Sequence, residues 1–196
     1  MTRRRRGKPN YNSSVFINCP FDPEYQPLFR ALVFTIAACN LWPRCALEVD
    51  DSGETRAEKL IRLIRESRYG IHDISRTEVN ANQLPRFNMP YEFGLFVGHD
   101  IRSHRSDSDE LIRQVRHWLQ SQMDRDLPGA GQLVAEYHLF ISEVPRLLAK
   151  LSKSETDLDK FRDFHWLVAD WLEENRPPAA RSGSSWQKAP AHGRGR

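Results

Sequence analysis

A chain of 196 residues is one domain's worth of sequence, which excludes two large domains. With 39% hydrophobic and 28% charged residues and a mean hydropathy of -0.64, it also reads as a chain that does not span a membrane. Its longest mostly apolar stretch, Leu28 to Cys39, is broken by Arg30 and falls short of the ~20 residues a bilayer core demands.

The formal charge of +3 hides an asymmetry. Ten of the 29 basic residues lie at the two ends: Arg3 to Arg6 and Lys8 at one, Arg176, Arg181, Lys188, Arg194 and Arg196 at the other. The 19 that remain face 26 acidic residues, so the middle of the chain is acidic and the positive total is no argument for a nucleic-acid-binding fold. Basic ends could hold nucleic acid or an acidic membrane weakly by counterion release, or simply be solvated. Residues 1–13 and 177–196 are expected to be disordered basic tails, because they combine Arg, Ser, Pro and Gly with few large apolar side chains. The start, Met1-Thr2-Arg3-Arg4-Arg5-Arg6, leads into no apolar run of the secretory kind, so the expected compartment is the cytoplasm. Cys19, Cys39 and Cys45 are odd in number, sit among apolar neighbours and have no CxxC spacing. They read as buried free thiols rather than as disulfides or metal ligands.

In chain order, Val15 to Cys19 is a short apolar run that predicts a first strand. Leu28, Phe29, Leu32, Val33, Ile36 and Ala37 then recur at helical spacing within residues 24–40. Cys45 to Val49 predicts a second strand, Asp50-Asp51-Ser52-Gly53 a turn, and Ala57, Leu60, Ile61 and Ile64 a second helix. Tyr69 to Ile74 predicts a third strand, and Met89 to Gly98 a short buried helix. Downstream, three apolar stripes predict helices: Leu111 to Leu119, Leu133 to Val144 with a kink expected at Pro145, and Leu158 to Leu172. The order βαβαβα followed by helices predicts the α/β class. The expected architecture is a three-layer, Rossmann-like (flavodoxin-like) parallel sheet, short of strands, over residues 14–98, with a C-terminal helical region over 99–176. Three strands leave an exposed sheet edge, so a partner protein, a second copy or the helical region is expected to cover it.

Ligands of open parallel sheets bind beyond the carboxyl ends of the strands. The residues to weigh are therefore Phe21, Asp22 and Tyr25 after the first strand, Asp50 and Arg56 after the second, and Asp73, Ser75, Arg86, Asn88 and Glu92 after the third. Glu92 opens an otherwise apolar helix behind Pro90, in Asn88-Met89-Pro90-Tyr91-Glu92-Phe93-Gly94. A carboxylate in such company is costly unless it is paired or functional, although it could also complement the helix N-terminus. Scattered histidines give no metal arrangement, and no P-loop or GxGxxG element is present.

Three segments, Val15-Phe16-Ile17-Asn18-Cys19-Pro20-Phe21-Asp22, His72-Asp73-Ile74-Ser75 and Asn88 to Gly98, resemble nucleoside 2-deoxyribosyltransferases and the related TIR-like nucleotide-binding domains of bacterial defence systems. In those families a first strand ends in a Pro-Phe loop, an Asp follows a middle strand, and a Glu-x-Gly helix supplies the catalytic glutamate. The resemblance covers residues 15–98. It implies that Glu92 acts at the anomeric carbon of a ribosyl group, as nucleophile or as stabiliser of an oxocarbenium-like transition state, and that Asp73 orients a ribose hydroxyl or the base. It further implies that Asp22 and Tyr25 shape the sugar pocket. Arg56 or Arg86 would meet a phosphate, with no cofactor required and NAD a candidate substrate. The activity implied is cleavage or transfer of an N-glycosidic bond, in the setting of antiphage defence. The alternative is a non-catalytic nucleotide-binding sensor or assembly module with a degenerate TIR-like fold, since Gly98 passes into polar residues where the families continue with further strands. A third reading is a protein that contacts nucleic acid through its tails.

Overall fold

The structure, a computed structural model, describes residues 9–48, 55–73, 107–151, 153, 154, 156, 158 and 160–176. The helix expected at Met89 to Gly98 lies outside these residues, as do the tails before residue 9 and after residue 176.

Three strands form a parallel sheet in the order β2-β1-β3: β1 Ser14–Asn18, β2 Trp42–Cys45 and β3 Tyr69–His72. Registers of Ile17 with Cys45 and of Asn18 with His72 bring the carboxyl ends of all three to one edge. Every residue of β1 is buried, as an apolar run covered on both faces must be. Helices lie on both sides. Val15 and Ile17 pack toward α1 (Gln26–Ala38), whereas Phe16 packs against Leu60 and Leu63 of α2 (Arg56–Arg65). The chain thus builds the expected α/β, Rossmann-like arrangement. It continues into a helical region of α3 (Ser108–Ser121), α4 (Ala130–Leu151) and α5 (Phe161–Asn175). All three of these helices pack on α1, and one apolar core runs from β1 through α1 into them. No helix among the described residues is long and apolar enough to cross a membrane.

One element differs from its sequence reading. The second strand was expected over Cys45 to Val49 but spans Trp42–Cys45, with Ala46 and Leu47 in a turn closed by the Glu48 N–H on the Cys45 carbonyl at 3.0 Å. Pro43 is tolerated because β2 is the outer of the described strands on its side, where an absent N–H costs no ladder bond. Arg44, an unlikely strand residue by composition, is buried because its guanidinium reaches Glu48 at 2.7 Å and Glu66 at 3.1 Å. Burial raises the Glu48 carboxyl above its ordinary value even with Arg44 beside it, which marks this cluster as structural cement. Pro145, where a kink is expected, lies inside α4, which is helical from Ala130 to Leu151. Pro145 and the Ile141 carbonyl whose N–H donor it removes both lie on the exposed side, where water can take the lost bond. At the other end of the chain, Tyr11–Ser13, grouped by composition with the first tail, form one 3-10 turn capped by Asn10 and tied to the core by the Arg68 N–H on the Tyr11 carbonyl.

The end of α1 is closed by geometry that the sequence encodes locally. Asn40 takes φ 55°, the Asn40 N–H donates to the Ala37 carbonyl and the Leu41 N–H to the Ile36 carbonyl, each at 3.0 Å, and Leu41 is buried. Arg125 donates to the Cys39 carbonyl at 2.8 Å, and Arg176 reaches both the Ala38 carbonyl and Glu136, so cations from the helical region meet the negative end of this helix. Because a left-handed backbone suits Gly better than Asn and penalises β-branched residues, Asn40→Gly is expected to match or exceed the parent. Asn40→Val is expected to lose about 1–2 kcal/mol, read by urea denaturation.

Cys19, Cys39 and Cys45 are buried free thiols, as expected. Burial pushes all three up, Cys39 to about 12 despite nearby Arg176 and Arg125. Such thiols stay protonated in the fold while those of the unfolded chain ionise, so the unfolded state binds fewer protons and stability falls as pH climbs above about 8.5. The slope is about 1.4 kcal/mol per pH unit for each thiol. Unfolding free energies measured from pH 7 to 10 should show this fall, and Cys39→Ala should flatten it. An equal slope in that variant would contradict the assignment.

Candidate functional site

After β1 the chain steps to β2 on one side, then returns past β1 to β3 on the other, with its two connecting helices on opposite faces. That reversal makes the carboxyl ends of β1 and β3 the topological switch point, the usual ligand position of open parallel sheets. Four polar side chains are buried there: Asn18, His72, Asp73 and, by its hydroxyl, Tyr25. Asp73 is 3% exposed and Tyr25 2%.

The two pairs straddle the sheet. Residues 16, 18 and 72 share the face toward α2: Asn18 Nδ2 meets His72 Nδ1 at 3.2 Å, and the His72 ring packs beside Phe16 with centroids 6.0 Å apart. A His72 whose Nδ1 accepts from an amide carries its proton on Nε2, which makes that atom a donor. On the α1 face, the Tyr25 hydroxyl donates to Asp73 Oδ2, and the Asp73 N–H donates to the Asn18 carbonyl at 2.8 Å. Cys19 belongs to the same neighbourhood: beyond its burial, the charges of Asp73 and Asp22 help hold its thiol up.

Asp22 shapes the approach. Its Oδ1 accepts the Tyr25 N–H at 3.0 Å, and the same N–H lies 3.0 Å from the Asp22 carbonyl, so the Pro-Phe-Asp-Pro loop turns sharply into α1. Phe21 is partly buried, its ring edge-on to Phe29 with centroids at 5.4 Å. Phe21 and Asp22 therefore serve the loop's packing and turn. Tyr25, expected to line a sugar pocket, has its phenol turned onto Asp73 inside the core.

Of the residues singled out from sequence, Tyr25 and Asp73 meet at the β1/β3 junction, Asp22 holds the Tyr25 backbone, and Phe21 packs on Phe29 of α1. Arg56 is exposed at the first position of α2, behind a capping box in which Thr55 and Glu58 satisfy each other's backbone donors. Asp50, Ser75, Arg86, Asn88 and Glu92 lie outside the described residues. Asn18 and His72 carry no assigned role in the sequence reading. The available signal was a polar residue closing each of two otherwise apolar strands, at the end where ligands bind. Among the described residues no group of three or more His, Cys, Asp or Glu is placed to hold a metal ion. Compared with protein-family models, with curated proteins and with solved structures, the chain matches none of them.

Proposed function

We propose that this protein binds a nucleoside or nucleotide at the switch point beyond β1 and β3 and cleaves or transfers its N-glycosidic bond. The observation that carries the reading is Asp73. Its carboxylate is buried at the switch point of a parallel sheet and accepts from a phenol, while its backbone N–H is tied to β1. Burying a carboxylate is expensive, and the Tyr25 hydroxyl offsets part of that cost without giving the fold any apolar contact. A site that must orient a sugar hydroxyl or a base has use for such a group. Breaking the C–N bond places positive charge on the sugar, and a carboxylate in a water-poor site stabilises it. In this reading Glu92 supplies the carboxylate at the anomeric carbon, a role that rests on the resemblance of Asn88 to Gly98, and NAD is one candidate substrate. An antiphage role belongs to the same resemblance.

Incubation of the purified protein with NAD and a panel of ribo- and deoxynucleosides, with free base measured chromatographically, tests the proposal. Base release that disappears in Glu92→Gln and in Asp73→Asn is expected. Release that persists in both variants removes these carboxylates from the chemistry. An absence of turnover, together with ligand-dependent thermal stabilisation, points to the nucleotide-binding sensor instead.

A further inference from the structure

α2 is a basic element in the acidic middle of the chain. From Thr55 to Arg68 five basic residues, Arg56, Lys59, Arg62, Arg65 and Arg68, stand against two acidic ones. They recur at intervals of three, so the four on α2 form one ridge of neighbouring side chains and Arg68 carries it into the turn before β3. Arg56, Arg65 and Arg68 are exposed, Lys59 and Arg62 half-buried. Local rules oppose such a ridge: like charges one turn apart repel, and Arg56 puts a cation at a helix N-terminus, where the dipole favours anions. The two acids are engaged elsewhere as well, Glu58 in the capping box and Glu66 with Arg44 at 3.1 Å, besides Arg62 at 3.7 Å. The contact of α2 with the sheet is made by Leu60 and Leu63 on Phe16. At the far end of the ridge, the Arg68 N–H donates to the Tyr11 carbonyl at 3.1 Å and its guanidinium to Asn12 at 3.4 Å, while Tyr11 is 55% exposed. Lys8 and Arg3 to Arg6 precede this anchored turn in the sequence. Eight residues span at most about 28 Å, and Arg56 to Arg65 covers about 14 Å of helix, so those cations are tethered within reach of the ridge.

From this we infer that the α2 ridge and the turn at Arg68 form a binding surface for the phosphate backbone of single-stranded nucleic acid. Tyr11 supplies a ring on which a base stacks, and the basic residues before Pro9 extend the track. A strand is a line of anions with a π-face at every base, and a line of cations ending in an exposed phenol complements it without regard to base identity. An acidic membrane is the poorer match, because an interfacial helix inserts its apolar face and that of α2 is occupied by Phe16. The inference is independent of the site at β1 and β3 and of any bond broken there.

Fluorescence anisotropy of a dye-labelled oligothymidylate, titrated with the full chain over a series of NaCl concentrations, tests this. The parent should bind with an affinity that falls with salt, log K against log salt having a slope of about −0.7 for each engaged cation. Arg62→Gln together with Arg65→Gln should weaken binding and make the slope shallower by about 1.4. Arg65→Lys keeps the charge and should bind as the parent does. Tyr11→Ala should weaken binding at every salt concentration and leave the slope unchanged. Replacing Lys8 and Arg3 to Arg6 by Gln should reduce binding and not abolish it. If circular dichroism shows the double variant unfolded, Arg65→Gln alone, at an exposed position, gives the same reading with a slope change of about 0.7. A parent that does not bind the strand overturns the inference, and so does an unchanged slope in the ridge variants, which would leave the contact to the chain's basic ends. Binding to phosphatidylserine vesicles without binding to the strand overturns it equally.

Discussion

Phe34→Ala is expected to lower the folding stability by about 3–5 kcal/mol, a large share of the roughly 5–15 kcal/mol available to a protein of ordinary stability. Phe34 lies on α1 and is fully buried. Its ring meets Tyr137 at 5.4 Å, Phe140 at 5.5 Å and Trp171 at 6.1 Å, so one side chain of the α/β part is clasped by two helices of the C-terminal region. Those partners are themselves tied together: Trp171 packs on Phe140 at 5.6 Å, and its indole N–H donates to Glu143 at 2.9 Å, a bond that also lowers the Glu143 carboxyl. A cluster braced in this way cannot collapse into the space left by a phenyl ring, which places the loss toward the upper end of the range. Because α3, α4 and α5 all rest on α1, the variant should unfold in one earlier transition. Urea denaturation followed by tryptophan fluorescence and by circular dichroism checks this. Two separated transitions, or a loss under about 1 kcal/mol, would show that the helical region does not share the core.

Asp73→Asn is expected to cut the rate of base release by about 10²–10⁴-fold, the usual contribution of a positioned acid or base group, and to leave the fold intact. The amide matches the carboxylate in shape, its oxygen can still accept the Tyr25 hydroxyl, and the backbone bond to Asn18 does not involve the side chain. What changes is the charge available to an electron-poor sugar or to a donor on the ligand. Asp73→Ala should in addition be less stable than Asp73→Asn, because the buried phenol then loses its acceptor, at about 1–3 kcal/mol for such a group. Rates on the panel compounds and thermal unfolding of the two variants separate the catalytic from the structural share. Equal rates in parent and Asp73→Asn would confine Asp73 to holding Tyr25.

The elements legible in the sequence were those whose burial follows from local pattern. Val15-Phe16-Ile17 and Tyr69-Gly70-Ile71 read as strands because both faces are covered. The stripes of α1, α3, α4 and α5 read as helices because one face is. Trp42-Pro43-Arg44 did not read as a strand, since Pro43 is allowed there only by the edge position and Arg44 by its pairing with Glu48 and with Glu66, 22 residues away. The apolar run Cys45-Ala46-Leu47 misled for the converse reason: Leu47 is 41% exposed in a turn. The site divides along the same line. That Phe21, Asp22, Tyr25 and Asp73 share one rim follows from strand order. That Tyr25 faces Asp73 rather than solvent does not, because the pairing depends on a turn by Asp22 and on the register of β1 with β3. His72 was hidden by its neighbour, since alternation sends the two side chains of His72 and Asp73 to opposite faces of the sheet.

The claim that the switch point beyond β1 and β3 is the binding site is tested most directly by titrating ¹⁵N-labelled protein with NAD and, separately, with a purine deoxynucleoside while following the backbone amides. Saturable shifts concentrated on Asn18, Cys19, Tyr25, His72 and Asp73 are predicted. Shifts confined to the outer face of α2 or to the helical region, with those five amides unmoved, would contradict the account.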